Sequence, residues 1–85
     1  MNPMRNRQIH WRVYKSGSLF DTGFALNETA TFALKLCDGS NTIQKIASEM
    51  AEHYKISYSE AESDLKELLE VLTENDLIKW VDSPT

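Results

Sequence analysis

Phe24-Ala25-Leu26-Asn27-Glu28-Thr29-Ala30 changes its backbone regime in the middle. Phe24 to Leu26 is a short apolar run behind the turn signal Asp21-Thr22-Gly23, and reads as a strand. Asn27 is a residue type that caps helices, because its side-chain oxygen accepts from a first-turn N–H. Glu28 then sits where the helix dipole favours an acid. Ala30, Ala33, Leu34 and Cys37 follow at three- and four-residue spacing, with Phe32 and Leu36 widening the stripe. The chain is therefore read as sheet before Asn27 and as helix after it.

Working back toward the N-terminus, Leu19-Phe20 is a second short strand, set off by the turn Lys15-Ser16-Gly17-Ser18. Before that turn, Ile9, Trp11 and Val13 alternate with His10, Arg12 and Tyr14. Period two with aromatic and β-branched content predicts a half-buried strand with Ile9, Trp11 and Val13 on the inner face. The three strands form an antiparallel meander. Residues 1–7 are polar, contain Pro3 and show no period, so they read as a flexible tail.

Working forward, the first helix is expected to end at Asp38-Gly39, with Gly39 as a left-handed cap. Thr42 caps a second helix whose inner stripe is Ile43, Ile46, Ala47 and Met50. Ser57 opens a third, and Glu60 three residues later completes a capping-box spacing. Ala61, Leu65, Leu68 and Leu72 make its inner seam, Leu69 flanks it, and Val71 falls outside. Near Asn75 the helix stops, and Leu77-Ile78 folds back on the core. The fold class is α+β: a three-stranded antiparallel sheet followed by three helices, winged-helix-like. One domain spans residues 8–81, with a flexible C-terminus at 82–85.

The chain has 85 residues and a net charge of −4, with 41% hydrophobic residues, enough for one core and too many for a disordered chain. No apolar run approaches the ~20 residues that span a bilayer, and Met1–Arg7 lacks a secretion signal's apolar stretch. Cys37 stands alone, which excludes an internal disulfide and predicts a reducing, cytoplasmic setting. Arg5, Arg7, Arg12 and Lys15 precede any acid, whereas Glu60 to Asp82 carries eight acids against Lys66 and Lys79. The acidic third helix would be the recognition helix of a nucleic-acid-binding winged helix, and phosphates would repel it.

Catalytic chemistry finds little material. Cys37 lies on an apolar stripe and reads as a small buried hydrophobe. His10 and His53 read as surface residues. These three match no metal-ligand spacing, and Gly17, Gly23 and Gly39 form no phosphate loop. The expectation is a protein without catalytic activity, metal or cofactor. A three-stranded sheet has two edges, and an open edge beside a helix is a receptor for an extended peptide.

Three blocks carry a resemblance. Phe24 to Ala30, Leu34-Lys35-Leu36-Cys37-Asp38-Gly39 and Thr42-Ile43-Gln44-Lys45-Ile46-Ala47 together resemble the PqqD-like family. These are the pyrroloquinoline quinone biosynthesis protein D and related recognition elements of ribosomally made, modified peptides. The third helix matches too, from Ser57 through Leu72 to Asn75-Asp76-Leu77-Ile78, although Asn75 stands where relatives often have glycine. The resemblance implies a non-catalytic adaptor. It would bind the leader of a precursor peptide as an added strand and present it to a modifying enzyme, often a radical S-adenosylmethionine enzyme. Carried over by position, the receiving strand is Thr22, Gly23, Phe24, Ala25 and Leu26, and the facing helix contributes Asp64, Glu67, Leu68, Val71 and Asn75. Val71 joins the two readings, as an apolar residue off the buried seam and a floor for a leader side chain. The alternatives are a nucleic-acid-binding regulator, or a structural subunit of a biosynthetic complex without leader binding. An edge-paired or strand-swapped homodimer is a further expectation from the open edge.

Overall fold

The computed structural model describes residues 1–82. The order is β1 (Asn2–Arg5), β2 (Trp11–Tyr14), β3 (Gly17–Phe20), β4 (Ala25–Asn27), α1 (Glu28–Lys35), α2 (Ile43–Tyr54), α3 (Tyr58–Glu74) and β5 (Ile78–Val81). The meander is present as β2-β3-β4, antiparallel throughout, with Trp11 opposite Phe20 and Ser18 opposite Leu26. The three helices follow it, and the architecture is α+β and winged-helix-like.

The N-terminal residues depart from expectation. Asn2–Arg5 is no tail but a strand paired antiparallel with β5, Asn2 opposite Val81 and Arg5 opposite Ile78. Its other edge meets the loop after α1. Arg5 N–H donates to Cys37 O at 2.8 Å, and Gly39 N–H to Pro3 O at 3.0 Å. Asn2 Nδ2 donates to Gly39 O at 3.0 Å, and both Asn2 and Pro3 are buried. The Arg5 guanidinium donates to the Leu34 and Lys35 carbonyls at the end of α1 and lies 5.4 Å from the Trp11 ring centre. The segment lacks apolar alternation, and its backbone, bonded along both edges, holds it in place. Of the expected flexible C-terminus, Asp82 is exposed and residues 83–85 lie outside the described residues.

Each helix begins where its cap predicts. Asn27, Thr42 and Ser57 side chains accept from Ala30, Lys45 and Glu60 N–H at 2.8, 3.0 and 3.1 Å. The ends differ more. α1 stops at Lys35, short of Asp38-Gly39, because Asp38 is drawn into a bridge with Met4. Gly39 has a positive φ of +87°, and a Cβ there would sit 3.2 Å from both Met4 Sδ and Val81 Cγ2, under the β1–β5 ribbon. At the end of α3, Asn75 caps with φ −99°, and Asp76 takes the left-handed conformation at φ 56°.

The core joins Phe20, Ala33, Leu34, Ile46, Ala47, Met50, Leu65, Leu72 and Leu77, and Cys37 is fully buried in it. Two positions exchange roles on α3. Leu69 is buried in the seam and Leu68 is half-buried at its margin, the reverse of the sequence expectation. On β2, Trp11 stacks on Phe20 at 6.1 Å, whereas Val13 is exposed instead of facing inward. β2 is an edge strand, and its far end, Val13 and Tyr14, borders an open pocket shared with Phe32, His53 and Tyr54 instead of packing into the core.

Candidate functional site

β4 is the outer strand of the meander, with no further strand on its free edge among the described residues. The direction of its polar groups follows from one bond. Phe20 N–H donates to Phe24 O at 2.9 Å, so Phe24 turns its carbonyl toward β3. Alternate residues turn to opposite edges. Ala25 therefore offers its N–H and C=O to the open side, and Leu26, opposite Ser18, turns back inward. Asn27 ends the edge, since its carbonyl accepts from Thr31 Oγ1 at 2.8 Å and its side chain caps α1.

The strand is held in place from behind. Ser18 and Thr31 share a buried hydroxyl bond of 2.7 Å that ties β3 to α1. Gly17, opposite Asn27, has φ +155°, and a Cβ on it would overlap the Leu26 carbonyl oxygen. Only glycine lets the end of β4 approach this closely.

Beside the open edge lies a groove of about 540 Å3 between β4, the start of α1 and one face of α3. That volume falls within the about 300–1,000 Å3 usual for ligand clefts. Its α3 wall is Asp64, Glu67, Leu68 and Val71, which share one face through their three- and four-residue spacing. Val71 is 42% exposed, high for an apolar residue of a helix packed on a core. Phe24, Ala25 and Leu26 line the opposite wall.

Seven of the ten residues expected at the site are thus brought together. Thr22 and Gly23 are not, because they form the β3–β4 turn, closed by Gly23 N–H on Phe20 O at 2.9 Å. Asn75 is spent on the helix end, where its Nδ2 donates to Val71 O at 2.8 Å. Asn27, Thr29, Ala30 and Met50 also line the groove and were not expected there. Asn27 caps α1 and Met50 lies in the core, the roles that their spacing predicts, and nothing in that spacing marks a second role at the groove.

The nucleophile and metal-ligand candidates lie elsewhere. Cys37 is buried, its Sγ–H donates to Ala33 O at 3.4 Å, and burial pushes the thiol up to about 12. His53 stacks on Phe32 with ring centres 4.4 Å apart. His10 is exposed. Among the described residues, no three His, Cys, Asp or Glu side chains are grouped to hold a metal ion. No described helix is long and apolar enough to cross a membrane.

The fold has solved counterparts. TbiB1 in complex with the TbiA(β) leader peptide superposes with a TM-score of 0.78, at 16% identity, over 93% of this chain and 99% of that one. The PqqD truncation of Methylobacterium extorquens PqqCD, a stand-alone recognition element for ribosomally synthesised and post-translationally modified peptides, was solved by solution NMR. It superposes with a TM-score of 0.73, at 26% identity, over 91% of this chain and 87% of that one. No curated protein matches the sequence. The family model for coenzyme PQQ synthesis protein D matches residues 16–78, from the turn before β3 to the start of β5. By that match the chain belongs to the PqqD family.

Proposed function

We propose that this protein is a non-catalytic adaptor that captures the leader segment of a ribosomally made precursor peptide. The leader adds as a strand to the free edge of β4 and lies in the groove against α3. The observation that carries this reading is the coincidence of an unpaired strand edge with a half-apolar groove lined by Val71 and Leu68. Ala25 supplies the outward N–H and C=O that fix register, and Leu68 and Val71 receive an apolar leader side chain. Seating one Leu-sized side chain contributes ~2 kcal/mol, so micromolar affinity, ~8 kcal/mol, needs the backbone bonds and neighbouring contacts as well.

The leader-bound complex would be presented to a modifying enzyme, of which a radical S-adenosylmethionine enzyme is the partner class the family favours. A cytoplasmic location belongs to the same proposal, and the unpaired Cys37 supports it. Without a leader, the edge of β4 is where a second copy would pair.

Val71→Asp tests the site. The residue is exposed, so the fold should stand, with an unfolding midpoint close to wild type. Leader affinity, measured by calorimetry, should fall about tenfold or more, the ~1.4 kcal/mol or more lost when a carboxylate replaces an apolar floor. Unchanged affinity would move the leader away from this groove.

A further inference from the structure

The charges around the groove are one-sided. Its charged lining residues are Asp64 and Glu67, both exposed and both on the α3 wall. Neither forms an ion pair among the described residues. The paired acids are Glu62, 3.7 Å from Lys66, and Glu49, 3.0 Å from Lys45, and neither lines the groove. The opposite wall contributes Asn27 and Thr29 but no charge. Toward its C-terminal end the α3 wall becomes apolar at Leu68 and Val71.

Spacing turns this polarity into a rule for the ligand. Glu67 and Val71 are four residues apart, about 6 Å along the helix axis, and Asp64 lies about 4.5 Å further on. Strand side chains that face the same way recur every two residues, about 7 Å. A strand lying along α3 that sets one side chain on Leu68 and Val71 therefore brings the side chain two positions away to Glu67, within reach of Asp64.

We infer that the groove selects peptides that carry a large apolar residue and, two positions from it, a lysine or arginine. The apolar side chain seats on Leu68 and Val71, and the cation lies between Asp64 and Glu67. The inference rests on the strand-addition reading above. The two subsites follow one another along α3, so a strand bound in a given direction carries the pair in one order along the sequence. The acids are exposed, so each contributes modestly, roughly two- to fivefold in affinity. The effect weakens as salt shortens the screening length to about 8 Å or less.

A displayed library of randomised linear peptides, selected on the full chain at low salt, tests this without knowledge of the natural leader. Wild type should enrich an apolar residue with Lys or Arg two positions away, in one order. Glu67→Lys, which sets a cation beside Asp64, and the double variant Asp64→Asn/Glu67→Gln should both keep the apolar anchor and lose the preference for Lys or Arg. Circular dichroism checks that the variants, both at exposed positions, remain folded. Amide shifts with the most enriched peptide then place it on the molecule. Apolar anchors without a charge preference, or the same basic preference in every variant, would overturn the charge rule and leave the groove reading standing. No enrichment, or shifts away from Ala25–Asn27 and α3, would overturn the groove reading and the inference with it.

Discussion

The molecule has two sheets, and they are built on opposite terms. The β1–β5 ribbon joins residues more than seventy positions apart and is closed on both edges of β1, by β5 on one side and by Cys37 and Gly39 on the other. The β2-β3-β4 meander is local, and β4 keeps one edge open beside the groove. The ribbon uses its backbone bonds to hold the chain ends to α1 and the core. The meander leaves the outward groups of Ala25 on an edge with no further strand among the described residues. A small domain can expose a strand edge safely only if its other polar backbone is already paired.

Removing β1 breaks the comparison on the ribbon side. Deleting residues 1–5 takes away the β5 ladder, the buried Asn2 and Pro3, and the Arg5 bonds to the end of α1. At ~1 kcal/mol per net hydrogen bond, the loss should be about 3 kcal/mol or more. That is a large share of a small domain's margin of about 5–15 kcal/mol. Denaturant unfolding should show the midpoint collapse. A midpoint close to that of the full chain would mean that β1 is decoration.

Gly17→Ala breaks the meander side. The added Cβ runs into the Leu26 carbonyl, and the φ of +155° is poorly tolerated by alanine. Stability should drop by about 1–3 kcal/mol. Leader binding should also fall, in protein still folded by circular dichroism, because the end of β4 is displaced. A stability loss with full binding would separate the strand edge from recognition.

Ser57→Ala sharpens the comparison with a smaller change. It removes the bond to Glu60 N–H at the start of α3, far along the helix from Val71. The expected cost is about 1 kcal/mol, with leader affinity unchanged. A parallel loss of binding would show that the groove depends on the whole helix and not on its middle turns alone.

These two sheets also mark what could be read from the residues. Caps, helix stripes and the meander are local signals: Asn27, Thr42 and Ser57 each place a helix start, and the turns at Lys15-Ser16 and Asp21–Gly23 separate the strands. The ribbon was illegible because Asn2–Arg5 has no apolar alternation, and its partners, β5 and the Cys37–Gly39 loop, lie far off in sequence. The exchange of Leu68 and Leu69 has a similar origin. Both fit a helical stripe, and only the placement of α2 and β5 against α3 decides which is fully covered. In the groove, Phe24 to Leu26 and the Asp64–Val71 face were legible through the family resemblance, and Val71 also through its misfit with the seam. Thr22, Gly23 and Asn75 lie outside the groove lining, because local turn and cap chemistry, which positional carry-over does not consider, claims those residues here.

The most direct measurement is a heteronuclear NMR titration of the full chain with the leader of a precursor peptide encoded beside its gene. Strand addition predicts the largest amide shifts at Ala25–Asn27, where the open edge is paired, and along the Asp64–Val71 face of α3. It also predicts slowed hydrogen exchange at Ala25, whose N–H points to the free edge, and little change in the β1–β5 ribbon. Saturable binding with shifts concentrated on α2 or on the ribbon, and Ala25 exchanging as fast as in the free protein, would contradict it.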